Sequence, residues 1–130
     1  MEFAADLART SGDLILRHWE AGGLHVERKA DATVVTRTDR EVEAHLRQRI
    51  EKRYPHHGII GEEYGSDRED AEWVWVLDPI DGTISYIHGI PLFGSLIGLL
   101  YQGQPVLGVI HQPILRQLCI GDGEVTHLNG

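Results

Sequence analysis

WVWVLDPIDGT, Trp73 to Thr83, is the stretch around which the rest of this 130-residue chain is organised. Trp73 to Leu77 are consecutive apolar residues of β-branched and aromatic type, which predicts a short strand buried on both faces. The run stops at Asp78, and Asp81 follows with Pro79 stiffening the backbone between them. Asp-Pro and Asp-Gly pairs also mark ordinary turns, so the stretch alone is compatible with a plain loop. Two ionised carboxylates leaving a buried strand nevertheless need a compensating cation, and an all-oxygen donor set favours Mg²⁺ over zinc. Gly82 permits close approach of a ligand to the backbone, and N–H groups around Thr83 can meet a phosphate where a short helix begins.

Composition narrows the classes. With 42% hydrophobic residues the chain can bury a core as one domain. A net charge of −8 and a pI near 5.4 argue against nucleic acid or an anionic membrane as a partner. An acidic protein that handles phosphate needs metal ions to offset the repulsion. A single cysteine, Cys119, excludes an internal disulfide and suits a reducing cytoplasm; between Leu118 and Ile120 it reads as a buried structural thiol. No apolar stretch reaches membrane-spanning length, and the acidic N-terminus lacks the pattern of a signal peptide.

Upstream, Glu2 to Glu20 has helical periodicity, with Phe3, Leu7, Leu14 and His18 on one stripe and Ala4, Ala8, Ile15 and Trp19 on the next. Gly22 and Gly23 stop it, and Leu24 to Arg28 alternates as a short strand. A second helix follows. Thr38 and Glu41 have capping-box spacing, Asp39 falls in the first turn, and Val42, Leu46 and Ile50 form the buried stripe before Pro55. Taken alone, Asp39 is a helix-start residue. Gly58 to Gly61 is a second apolar segment ending in acids, Glu62 and Glu63. If it lies beside the Trp73 strand, Glu62, Asp78 and Asp81 converge. Tyr64 to Glu72 is charged and reads as a solvated loop.

Downstream, Ser85 to His88 leaves room for one helical turn. Phe93 to Tyr101, Val106 to His111 and Gln117 to Ile120 then form strands of an antiparallel meander, with a tight turn at Gln102-Gly103. Gly121 to Gly123 is too short for a nucleotide loop, and the adjacent His56 and His57 cannot face one metal on regular structure. The fold class is therefore α+β: two N-terminal helices on a largely antiparallel sheet, with the site at the strand ends.

Three motifs carry a resemblance. Gly61 to Glu63 (GEE), Trp75 to Thr83 (WVLDPIDGT) and Val35 to Asp39 (VTRTD) resemble, in order and spacing, the inositol monophosphatase-like, lithium-sensitive family of Mg²⁺-dependent phosphomonoesterases. SYIHGIPLFGSLIGLL and PVLGVIHQPIL look most like its histidinol-phosphatase branch, whereas inositol-specific members tend to read NF after the motif. The resemblance implies the N-terminal part of the layered fold that the family shares with fructose bisphosphatase. It also implies a first Mg²⁺ held by Glu62, Asp78 and the Ile80 carbonyl, with Asp78 bridging to a second that Asp81 also holds. Thr83 and Glu62 would orient the attacking water, Asp39 would support Thr83, and the N–H groups of Gly82 and Thr83 would meet the phosphate. Thr33 stands where inositol-type members often carry an acid.

By this resemblance residues 1–130 are the N-terminal metal-binding domain, and the family's C-terminal half, with a further aspartate for the second metal and the substrate-choosing residues, is absent. The expected activity is hydrolysis of a small phosphorylated metabolite, histidinol phosphate in histidine biosynthesis. Inositol 1-phosphate is the alternative substrate, and a truncated chain that binds metal or phosphate without catalysis is the alternative class. An apolar face or unpaired edge near Val106 to Ile120 is expected to favour a homo-oligomer.

Overall fold

The computed structural model describes residues 2–21, 26–28 and 34–129. In chain order the elements are α1 (Glu2–Ala21), β1 (Val26–Arg28), β2 (Val34–Thr36), α2 (Arg37–Arg53), β3 (Gly58–Gly61) and β4 (Gly65–Asp67). There follow β5 (Trp73–Asp81), α3 (Thr83–Ile87), β6 (Gly94–Tyr101), β7 (Gln104–Gln112), β8 (Gln117–Gly121) and β9 (Thr126–Leu128). β1 and β2 form a small antiparallel pair; the expected strand start at Leu24, the glycines after α1 and Thr33 lie outside the described residues.

The main sheet has the order β4-β3-β5-β6-β7-β8-β9. Among the described residues of this sheet β3 and β5 form the one parallel pair and the other pairs are antiparallel, so the sheet is mixed and largely antiparallel. Gln102 and Gly103, with φ of 47° and 79°, make the two-residue turn that joins β6 to β7 and matches strand twist. Both long helices pack on one face. Leu7, Ala8 and Ile15 of α1 and Val42, Leu46 and Ile50 of α2 are buried with Ile59, Trp75, Leu77, Ile97, Val109, Leu118 and Ile120 in a single core. Gly12 of α1 lies so close to β7 that an added Cβ would sit 2.3 Å from the His111 ring, so a larger residue would push the helix off the sheet.

Several expectations need correction. β5 is buried on both faces only in part: Trp75 and Leu77 point into the helices and Val74 on the other side is also buried, but Val76 on that second side is 37% exposed. Period-2 alternation has the same consequence in β8, where Leu118 and Ile120 are buried and Cys119 between them faces the uncovered side, only half-buried. The uncovered face also presents Ile110, 54% exposed. The sheet edges, however, are β4 and β9, since β7 and β8 are paired on both sides. The Tyr64–Glu72 segment is not wholly loop, because its Gly65–Asp67 portion forms edge strand β4. Thr38 lies inside α2 and its hydroxyl meets the Tyr86 hydroxyl at 2.8 Å, so it is not an N-cap.

Candidate active site

The parallel pairing of β3 with β5 builds the site. Gly61 lies opposite Leu77, so Glu62 and Asp78 follow at the same level on neighbouring strands. The backbone does not turn at Asp78 as the sequence suggests. β5 continues to Asp81 through a register irregularity between Asp78 and Asp81, and Ser95 Oγ donates to the Pro79 carbonyl at 2.6 Å inside that irregular stretch. A disrupted ladder at a strand end re-aims side chains, here two carboxylates.

Beyond the strand, Gly82 adopts φ 91° and starts α3, and the Gly82 carbonyl accepts the Tyr86 N–H at 3.0 Å. A Cβ there would fall 3.1 Å from the Leu92 carbonyl oxygen, so both the backbone angle and the space select glycine. Tyr86, 1% exposed, anchors the turn by packing edge-on against Phe93 with centroids 5.1 Å apart. Thr83 Oγ lies 3.2 Å from Asp39 Oδ1 and 3.1 Å from the Ile80 carbonyl oxygen, two acceptors for its one proton. Asp39 is itself 2% exposed in the first turn of α2. The structure thus brings Asp39, Ile80 and Thr83 together directly.

Electrostatics mark the same place. Asp78 is pushed up from 3.8 to about 6, first by burial and then by the charges of Asp81, Glu62, Asp39 and Glu63. Every charge in that set is negative, so the proton affinity reports a focus of negative potential at the end of β5. Among the described residues no three acidic, His or Cys side chains are gathered closely enough to make a finished metal cage. The donor chemistry suits a hard divalent cation: carboxylates follow the ends of adjacent strands, and the Ile80 carbonyl falls between Asp78 and Asp81 in the chain. Glu62 and Glu63 also have interactions of their own.

Sequence reasoning missed the residues that hold this frame. Ser95, Tyr86 and Thr38 are polar groups in apolar or helical contexts, and nothing in local spacing says that they meet the Asp78–Thr83 segment. Glu43 and Arg47 carry no motif signal in the sequence, yet both are buried as an i,i+4 ion pair.

An α+β frame with carboxylates at the ends of adjacent strands defines the class of fold and site. A profile of the inositol monophosphatase family matches residues 1–130, and the chain belongs to that family. It is 46% identical over 127 residues to the bifunctional phosphatase IMPL2, chloroplastic, of Arabidopsis thaliana, covering 95% of this chain and 36% of that protein. It is 39% identical over 131 residues to a histidinol-phosphatase of Chlorobaculum parvum, covering 100% of this chain and 51% of that protein. Among solved structures, the extragenic suppressor protein suhB of Bartonella henselae superposes with a TM-score of 0.93 at 32% identity, over 99% of this chain and 51% of that one. The chain therefore spans about a third to a half of the length of these relatives.

Proposed function

We propose that residues 1–130 form the N-terminal metal-binding domain of a Mg²⁺-dependent phosphomonoesterase whose substrate is histidinol phosphate. The observation that carries the reading is the β3–β5 register, which sets Glu62 level with Asp78. The resulting charge focus is one that a cation would relieve. Relatives named histidinol-phosphatase, at 39% and 38% identity, favour that substrate. Relatives named inositol monophosphatase, at 34% identity, keep inositol 1-phosphate as the second reading.

Glu62, Asp78 and the Ile80 carbonyl would hold a first cation, and Asp81 would contribute to a second. When bound, Mg²⁺ supplies charge neutralisation on the phosphoryl group and lowers the pKa of water. The chain's own residues do the rest. With the Ile80 carbonyl engaged by the cation, the Thr83 O–H would donate its hydrogen bond to Asp39, which would leave the Thr83 oxygen to accept one from the attacking water. Glu62 would orient the same water from the neighbouring strand. The N–H groups of Gly82 and Thr83 would bind a phosphate oxygen.

The family's second half would complete the second cation site and cover the face that exposes Val76 and Ile110; in its absence that face would pair two copies of the chain. No described helix is long and apolar enough to cross a membrane.

The test is phosphate release by this chain joined to a family C-terminal half. Mg²⁺-dependent release from histidinol phosphate in preference to inositol 1-phosphate is the expected result. The reverse preference would move the substrate assignment to inositol phosphate and leave the phosphatase reading intact.

A further inference from the structure

Glu43 of α2 is completely buried, and its carboxylate is committed to the segment that follows Glu62. Oε1 accepts the Glu63 N–H at 2.8 Å. Oε2 accepts the Tyr64 N–H at 2.8 Å and the Arg47 Nε–H at 3.0 Å. One turn further along the helix, Arg47 donates through Nη1 to Asp67 Oδ2 at 3.1 Å and through Nη2 to the Gly65 carbonyl. The carboxylate also packs flat on Gly61, where an added Cβ would lie 2.5 Å from its carboxyl carbon. Glu62 is therefore bracketed: the residue before it touches Glu43 and the residue after it is hydrogen-bonded to Glu43.

Asp39, Glu43 and Arg47 stand at i, i+4 and i+8 on one face of α2. The first reaches Thr83 beyond β5, and the other two reach the hairpin beyond β3. One rigid helix face thus connects both strand ends. Stability alone does not explain the choice of an ion pair here, because well-packed apolar residues often serve a buried position as well or better. An ionised carboxylate supplies what an apolar side chain cannot, two acceptor oxygens that fix consecutive backbone N–H groups.

We propose that Glu43, supported by Arg47, is a positioning residue that fixes the backbone on both sides of Glu62 so that the Glu62 carboxylate meets a divalent cation together with Asp78. This rests on the reading of Glu62 as a cation ligand. Outer partners that orient ligands typically change metal affinity by about 10- to 100-fold when removed.

The experiment measures Mg²⁺ affinity by titration calorimetry on the whole chain, with amide hydrogen exchange at Glu63 and Tyr64 read in the same proteins. The variants are Glu43→Gln and the double variant Glu43→Gln/Arg47→Met, which removes both buried charges and so protects the fold. Both are expected to bind Mg²⁺ about 10- to 100-fold more weakly and to exchange the two amides faster. A folded double variant with wild-type affinity would overturn the proposal while leaving the cation site standing. Wild-type protein that binds no Mg²⁺ would remove the cation reading and this inference with it. Unprotected Glu63 and Tyr64 amides in the wild-type chain would overturn it without any variant.

Discussion

Replacing Asp78 by Asn should stabilise this chain in Mg²⁺-free buffer and destroy its response to Mg²⁺. The Asp78 carboxyl is raised from 3.8 to about 6. A rise of about 2 units is roughly 3 kcal/mol of penalty on the charged form before screening. The group is only half-buried, so solvent reduces this to on the order of 1 kcal/mol. The sign follows from linkage. A carboxyl whose folded pKa exceeds its unfolded value destabilises the fold fully above pH 6, and the penalty disappears as pH falls through 6 toward 3.8. At pH 7.5, in a chelator, Asp78→Asn should therefore melt about 3–5 °C above wild type. Near pH 4 the two should converge. With Mg²⁺ at about 100 times its Kd the wild type gains about 2.7 kcal/mol, the variant gains little, and the order reverses. Thermal melts followed by circular dichroism, with and without Mg²⁺, measure all of this. An Asp78→Asn protein that melts lower than wild type in chelator, or gains as much from Mg²⁺, would show that Asp78 carries no repulsive penalty or does not bind the cation.

Other outcomes follow from the same structure. His111 has its pKa lowered, mainly by burial, with the Arg9 charge adding to this and the Ala8 backbone bond and Asp13 opposing it. Its unfolded form takes up a proton first, so stability should fall as pH drops below 6.5, and His111→Gln in the Asp78→Asn background should flatten that limb of a pH–melting profile. Thr83→Ala removes the bonds to Asp39 and Ile80; in a protein completed by a family C-terminal half it should cut phosphate release by at least about 10²-fold while shifting the melting temperature by only a few degrees. The isolated chain should self-associate through the face bearing Val76 and Ile110, and a family C-terminal half added in trans should replace that contact with a one-to-one complex. Light scattering that reports a monomer at every concentration, with no binding of the second half, would contradict this.

Much of the architecture is legible because it is written in local periodicity. The Leu7/Ile15 and Val42/Leu46/Ile50 stripes give both helices, and the Gln102-Gly103 turn gives the β6–β7 hairpin. The convergence of Glu62 with Asp78 is legible as two apolar runs ending in acids. Its confirmation needs the parallel register, which no local signal contains. Where the sequence misleads, the cause is a tertiary choice between equally good local options. WVWVL reads as doubly buried, and Val74 is, but α1 and α2 cover only the opposite face and leave Val76 open. Cys119 inherits an apolar neighbourhood from Leu118 and Ile120, although alternation sends it to the other face. Glu43 and Arg47 have the spacing of a surface helix pair, and only the hairpin folded over them turns them into a buried clamp.

Under the proposed function, Glu62, Asp78 and Asp81 would receive divalent cations at the end of β5. Crystals of the chain grown with Mn²⁺ as a Mg²⁺ surrogate, with anomalous scattering recorded at the manganese edge, test it most directly. The expected result is a peak at metal–oxygen bonding distance from Asp78, shared with Glu62 or Asp81, that disappears in Asp78→Asn. A fully loaded crystal with no peak at that strand end, or with its peak elsewhere on the molecule, would contradict the account.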